Sequence, residues 1–445
     1  MLLQTIVSFV LMISVLVFIH ELGHFIFAKR AGMLVREFAI GFGPKLFSRL
    51  KGETLYSIRV LPLGGYVQVA GQEPEMVDLK PGSPVLVERD DQGQVLRIRF
   101  LGPEHPPTST SHPEDINDWA VSDLTKHLPS VRFTGSGKLL KLDMENELFI
   151  LLEDEDGIEQ HYSLHPQALI QMDENHTFQI APKDRQYASK PPLQRALFVL
   201  AGPVFNLLLT MILLAGITLS IGIGTKVSVN DIVPDSPADE AGLKTGDIIR
   251  QVEGKNVKEL NDVHYPLQEA RGKQVSIQAE RANQVFETRI QPEEVQGQYM
   301  IGIEMKQERR KATFSEAAVE GVNQTYHLTL FMFKALSQLV TGQMGLEGVA
   351  GPLGIADMTG KAAEAGWLNL VHLMALLSLN LGIINILPFP ALDGGRLMFI
   401  LVEVLRGRPL NPNKEGLVHF IGFALLMALI VLVTYQDILR VFFKE

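Results

Sequence analysis

The sequence predicts a multi-pass α-helical membrane protein with about four transmembrane helices. It also predicts a membrane-associated β-loop region, a small cytoplasmic β-rich insert and an outward-facing α+β domain. Three observations carry this reading. Hydrophobic residues make up 46% of 445 residues and are clumped into long, almost uncharged runs. Lys and Arg cluster at particular ends of those runs. Between the runs lie segments with strand alternation and Gly/Pro punctuation.

The runs cover Leu2 to Ala28, Ala196 to Thr225, Ala365 to Leu392 and Gly416 to Gln436. An apolar run of about 18 residues or more is long enough to cross roughly 30 Å of hydrocarbon as a helix. The first run contains only His20, Glu21 and His24 as ionisable residues. A signal peptide fits it poorly, because no basic residue precedes it, no small-residue cleavage site follows and Lys29-Arg30 close it. Lys29, Arg30, Arg36, Lys45, Arg49 and Lys51 follow the first run, and Lys183, Arg185, Lys190 and Arg195 precede the second. Arg396, Arg406, Arg408 and Lys414 separate the third from the fourth. All three groups fall on one side, which the positive-inside rule makes cytoplasmic. Both termini and residues 226–364 then face outward.

The expected organisation is a first transmembrane helix over 1–30, a membrane-associated β-hairpin region over 31–71 and a cytoplasmic insert over 72–190. A second transmembrane helix covers 191–225, an α+β unit 226–308, and an amphipathic helix with a Gly-rich linker 309–364. The third transmembrane helix covers 365–395, a cytoplasmic loop or helix 396–415, and the fourth helix with the C-terminus 416–445. Within the insert, KLLKLDMENELFILLEDEDGIEQHYSLHP alternates as strands do, and EHPPTSTSHPED reads as a flexible loop. Within 226–308 the pattern gives a short helix closed by Gly242, a turn at 244–247, a strand at Ile248–Val252, a helix near Leu260–Ala270 and two further strands.

Composition excludes several chemistries. The chain has no cysteine, so disulfides, thiolate catalysis and Cys-ligated zinc are out, and a metal site must use His, Asp or Glu. A net charge of −10 with no basic stripe argues against nucleic acid.

His20-Glu21-Leu22-Gly23-His24 is an HExxH motif on the first apolar helix. Residues four apart share a helix face, so both imidazoles reach one ion, and the adjacent Glu21 serves as the general base toward water. In an apolar span a charged residue costs about 2.5–3.5 kcal/mol on insertion scales, which a site for Zn2+ would explain. The third ligand must come from elsewhere, and Asp393 is the best candidate. It ends the third run in Asn385-Ile386-Leu387-Pro388-Phe389-Pro390-Ala391-Leu392-Asp393-Gly394-Gly395, where prolines and glycines break the helix. Non-helical backbone at membrane depth belongs where it is buried or lines a water-filled cavity. The bland alternative makes Asp393 the cap of a helix starting near Arg396. Asn385 is placed to offer an amide to the scissile carbonyl, or else to bond another helix, an ambiguity shared by Asn206 and Asn380. His372 and His419 lack ligand spacing and read as packed or interfacial residues.

HELGH in the first span, AGPVFN in the second and NILPFPALDGG in the third together resemble the site-2 protease family. They look closest to its bacterial RseP/RasP-type regulated intramembrane zinc metalloproteases. The resemblance implies zinc held by His20, His24 and Asp393, water activated by Glu21, and substrate or oxyanion bound by Asn385. It makes residues 36–70 the family's membrane-associated β-loop and SPADEAGLKTGD part of an extracytoplasmic PDZ-like domain. It places the chain in a bacterial plasma membrane with the active site toward the cytoplasm. Its substrates would be single-span membrane proteins, of the anti-sigma-factor type or signal-peptide remnants, already shortened by an upstream site-1-type protease. One PDZ-like unit is visible where the better-known Gram-negative members carry two, so the chain resembles the single-PDZ form. The insert over 72–190 departs from that Gram-negative pattern.

Two other classes fit parts of the sequence. A non-catalytic membrane adaptor would combine a PDZ peptide-binding module with a structural metal. A metal-ion transporter would use midplane His and Asp, but such proteins tend to show internal repeats, and the four runs show none.

Overall fold

The computed structural model describes residues 2–72, 81–101, 129–154, 156–172, 177–295, 298–343, 345, 349–408, 410 and 412–442. The segment 104–115, expected to be a flexible loop, lies outside the described residues. The chain divides into two compact units, residues 1–210 with 329–445, and residues 211–328.

In the first unit, helix α1 (Leu2–Arg30) buries Met12, Leu16, His20, Gly23, His24 and Ala28. Their spacing of three and four places them on one stripe, and that stripe carries both histidines. Its other faces expose Leu2, Leu3, Ile6, Val7 and Leu11, as a helix facing hydrocarbon does. Met12 and Leu16 pack on Leu373, while Ala28 joins Phe198, Val199, Phe38, Val67 and Ile400 in a second cluster.

Strands β1 (Val35–Lys51) and β2 (Thr54–Val69) pair antiparallel, with Val35 opposite Val69 and Lys51 opposite Thr54 at the two ends and repeated register shifts between them. Phe38, Val67 and Val69 face the helices, whereas Phe42, Leu46, Phe47, Ile58, Val60 and Leu61 are exposed. A two-stranded ribbon is marginal in isolation. This one has an internal polar nucleus: Ser57, Arg59 and Tyr66 all donate to the Glu37 carboxylate, at 2.5, 2.8 and 2.9 Å. Burial acts to raise the Glu37 pKa, but these three donors outweigh it and hold the group below its ordinary value.

The insert is β-rich: β3 (Pro84–Arg89), β4 (Val95–Phe100), β5 (Phe133–Asp143), β6 (Phe149–Glu153), β7 (Glu159–Gln171) and β8 (Thr177–Gln179) run β4-β3-β5-β6-β7-β8. A parallel pairing of β4 with β7 closes the sheet on itself, so Val85, Val87, Ile98, Ile150, Leu152 and Ile170 fill a small barrel core. Closure also removes most exposed edges.

After residue 329 this unit also includes helices α6 (Pro352–Glu364), α7 (Trp367–Ile386), α8 (Asp393–Arg406) and α9 (Pro412–Phe442). The sequence predicts one amphipathic helix and a linker over 309–364. The structure instead has helix α5 (Phe314–Val340) and then the separate α6. Pro352 sits at the first helical turn of α6, where its missing N–H costs nothing, and the Gly354 N–H donates to the buried Asp437 carboxylate of α9 at 2.8 Å. The third span also ends earlier than expected. α7 stops at Ile386, because Leu387 precedes Pro388 and is held extended.

Helix α2 (Pro192–Ile221) likewise stops short of Thr225: the chain turns at Gly222, φ +83°, and enters strand β9. In the second unit β9 (Ile223–Ile232), β10 (Ile248–Val252), β12 (Val275–Arg281), β13 (Gln284–Ile290) and β16 (Ile303–Arg310) form an antiparallel sheet ordered β13-β12-β10-β9-β16. The short β11 (Lys255–Asn256) pairs with β10, and β14 (Glu293–Val295) pairs with β15 (Gln298–Met300). Helices α3 (Pro237–Glu240) and α4 (Asn261–Ala270) supply Ala238, Val263 and Leu267 to the core of Val227, Val229, Ile249, Val252 and Ile277. Ser236 caps α3, accepting from the Asp239 N–H, with Pro237 at its start.

Among the described residues, four helices are long and apolar enough to cross a membrane: α1, α2, α7 and residues 414–440 of α9.

Candidate metal centre

Helix periodicity brings His20 and His24 to one face of α1, with Nε2 atoms 3.2 Å apart. Asp393 arrives from the other end of the chain. The break after α7 turns residues 387–392 back, and α8 begins at Asp393 itself. Asp393 is not the helix cap that its position in the sequence also allowed: Leu392 holds that position, and no side chain caps the helix. Asp393 Oδ2 lies 3.2 Å from His20 Nε2 and 3.3 Å from His24 Nε2. Donors bound tetrahedrally at about 2.0–2.1 Å from an ion are about 3.3–3.4 Å apart. The three atoms therefore have the spacing of one face of such a site.

The hydrogen bonds around the rings fit the same purpose. The Phe198 carbonyl of α2 only accepts, so His24 Nδ1 carries a proton and donates at 2.8 Å, leaving Nε2 with a lone pair in the neutral ring. Asn206 of α2 lies 3.1 Å from His20 Nδ1 through its amide nitrogen, while its Oδ1 is buried with no partner among the described residues. A half-turn of that amide directs the oxygen at the ring, where it accepts Nδ1–H. His20 Nε2 then also presents a lone pair. Asp393 Oδ2 is buried without a hydrogen-bond partner among the described residues. Three electron-rich atoms pointing at one another in a buried place suit a cation between them, and two imidazoles with one carboxylate suit zinc.

Asn206 is held in turn: Ser378 of α7 and Thr210 of α2 donate to its backbone carbonyl at 2.8 and 3.0 Å. Sequence alone leaves the role of Asn206 ambiguous, its one signal being a polar residue in an otherwise apolar span. Gly202, in the AGPVFN segment of α2, lies against the two imidazoles. A Cβ there would lie 2.3 Å from His24 Nε2 and 2.8 Å from His20 Cε1, so only glycine lets α2 lie against the two rings.

Glu21 and Asn385 line the same cavity as the three candidate ligands, a cleft of about 860 Å³. Tyr66 and Gln68 of β2 and Arg396 of α8 also face it. Asn380 and His372 do not line it, and His419 hydrogen-bonds the loop before Asp393. The cleft is thus walled by the β2 ribbon on one side and by the broken end of α7 on another.

The profile of Peptidase family M50 matches residues 8–429. The chain belongs to peptidase family M50. As an M50 member with four membrane-length apolar helices among the described residues, it is a membrane protein and a metalloendopeptidase of the site-2 protease type. Among curated proteins the M50 chain is similar to "Zinc metalloprotease RasP" of Oceanobacillus iheyensis, 39% identical over 98% of this chain and 99% of the relative. It is also similar to "Regulator of sigma-W protease RasP" of Bacillus subtilis, 36% identical over 99% and 100%. Among solved structures, the PDZ domain of an SdrC-like protein from Listeria innocua aligns at 25% identity over 20% of this chain and 99% of its own, with a TM-score of 0.17.

Proposed function

We propose that this M50 peptidase is an intramembrane zinc endopeptidase that hydrolyses peptide bonds within or near the transmembrane segments of single-span membrane proteins. The observation that carries the reading is the face of three ligand atoms, 3.2–3.3 Å apart, formed by His20, His24 and Asp393 in a cavity that also holds Glu21. Zinc held there would supply a Lewis acid that polarises water and the scissile carbonyl.

The chain's own residues do the rest. Glu21 takes the proton from the attacking water and returns it to the leaving amide nitrogen. Asn385 donates from its side-chain amide to the carbonyl oxygen as charge builds on it. A transmembrane helix hides its carbonyls in internal bonds, so the substrate must unwind. Residues 64–69 of β2 line the cleft, and their strand edge supplies backbone partners to the extended segment by β-addition.

The distribution of Lys and Arg supports a cytoplasmic side for the insert and for the cavity mouth, with residues 226–308 on the other face of a bacterial plasma membrane. The antiparallel sheet with two short helices supports a PDZ-like reading of that unit, which would limit or recruit substrates. The name of the Bacillus subtilis relative, a regulator of sigma-W, supports anti-sigma-factor-type substrates shortened beforehand by another protease. Signal-peptide remnants are the second substrate class. A non-catalytic adaptor is the less favoured reading, since membership of a peptidase family speaks for turnover.

The test is cleavage of a single-span substrate by the purified chain in detergent. Cleavage should stop with chelator, return with zinc, and be lost in Glu21→Gln. Undiminished cleavage by Glu21→Gln would defeat the reading.

A further inference from the structure

The loop that delivers Asp393 accounts for its backbone donors in an unusual way. Leu387 donates back to Ile384 in the last turn of α7, and Phe389 and Leu392 donate to Leu387 and Phe389 within the loop. Pro388 and Pro390 have no N–H. Ala391 alone sends its N–H out, to His419 Nδ1 of α9 at 2.9 Å.

Ala391 is also the strained residue of the loop. Its φ is +76°, in the left-handed region that a side chain with a Cβ rarely adopts. Such a conformation persists only where the surroundings over-determine it. Here α9 does so from two positions one turn apart. Gly422 lies so close that a Cβ would be 2.4 Å from Pro390 Cβ and 2.6 Å from its carbonyl oxygen. His419, against the Phe399 ring at 5.2 Å, accepts from the next residue. Leu392 and Asp393 follow directly, so the Ala391 conformation sets the direction from which the carboxylate approaches His20 and His24.

We propose that His419 is a positioning residue of this peptidase: by accepting the Ala391 N–H it locks the left-handed turn that presents Asp393 to the metal. The inference rests on the zinc-peptidase reading above. His419 touches neither ligand nor substrate and acts through two residues of backbone.

Three substitutions in the full chain test this. His419→Leu keeps the bulk and removes the acceptor. His419→Asn places its Oδ1 where Nδ1 stood and keeps it. Ala391→Gly, added to His419→Leu, makes the left-handed turn free of a Cβ. Zinc affinity, read by chelator competition, should fall at least tenfold in His419→Leu, in the range seen when ligand-orienting groups are lost. The cleavage assay should show kcat reduced with KM little changed. His419→Asn should restore both to within about threefold of the parent, and the double variant should recover much of the zinc affinity.

A His419→Leu chain that binds zinc and cleaves like the parent would overturn the proposal, as would a folded His419→Asn no better than His419→Leu. If His419→Leu does not fold, the other two variants decide. Parent-like affinity in His419→Asn, with the double variant folded and zinc-binding, supports the lock; failure of both overturns it. A parent chain without zinc affinity would sink the zinc-peptidase reading itself, which is a separate result.

Discussion

His24 Nδ1 donates to the Phe198 carbonyl at 2.8 Å, joining the first apolar helix to the second through a ring whose other nitrogen faces Asp393. One turn along α2 from Phe198, Gly202 lies flat against both imidazoles. Gly202→Ala would place a methyl group 2.3 Å from His24 Nε2 and must push the rings apart. Zinc affinity should fall by roughly 100-fold or more, with helix content by circular dichroism unchanged. Affinity within a fewfold of the parent would mean that α2 and the rings are not in this contact.

Asn206 orients the other imidazole. Asn206→Leu removes the group beside His20 Nδ1 and should weaken zinc binding by about 10–100-fold. Asn206→Asp, which keeps an acceptor toward Nδ1–H, should lose less. The reverse order would show that the amide donates to the ring, and that His20 binds through a different tautomer.

Much of this centre is legible in the sequence, for a physical reason. A carboxylate and two imidazoles in an apolar span are costly to place in lipid, so they stand out, and helical spacing puts the histidines on one face. The proline-rich end of the third run is legible as a helix break for the same kind of reason. What is not legible depends on partners distant in the chain. Nothing local in Val95–Phe100 announces a parallel pairing with β7, and α6 owes its N-terminal anchor to Asp437, which lies 83 residues beyond Gly354. His419 lacks ligand spacing because its partner is a backbone amide.

Beside the C-terminal end of α1, Glu53 binds Lys29 at 2.9 Å and Arg185 at 2.6 and 2.8 Å, tying α1, the hairpin and the end of the insert together. Burial acts to raise its pKa, but these cations pull it down from 4.5 to about 2. A depressed carboxylate pKa contributes stability above its unfolded value that is lost as pH falls toward the folded one. The cluster should therefore stabilise this unit at neutral pH and fade between about 4.5 and about 2. The ceiling is about 3 kcal/mol, reduced to about 1–2 kcal/mol by the partial exposure of Lys29. Melting of Glu53→Gln in detergent should show this deficit at pH 7 and at pH 5, and convergence with the parent only as the pH falls toward about 2. A deficit independent of pH would contradict it.

In the second unit Asp247 is fully buried and accepts from Arg281 Nε and Nη2 at 2.7 Å each and from the Lys244 N–H at 2.8 Å. Asp247→Ala leaves the 244–247 turn without its acceptor, while the half-exposed Arg281 is rescued by water. The expected cost is about 1–3 kcal/mol, seen as faster hydrogen exchange at Lys244 and Val229 in the full chain. Cleavage of a substrate by the first unit should be unaffected in a folded sample.

On the proposed chemistry, His20, His24 and Asp393 hold one zinc ion that Glu21 does not ligate. Zinc-edge X-ray absorption on the purified chain, with metal content measured on the variants, tests it most directly. The expected result is one ion per chain with two imidazole nitrogens and carboxylate or water oxygens at about 2.0–2.2 Å, kept in Glu21→Gln and lost in Asp393→Ala. A full complement of zinc with an unchanged spectrum in Asp393→Ala would contradict it.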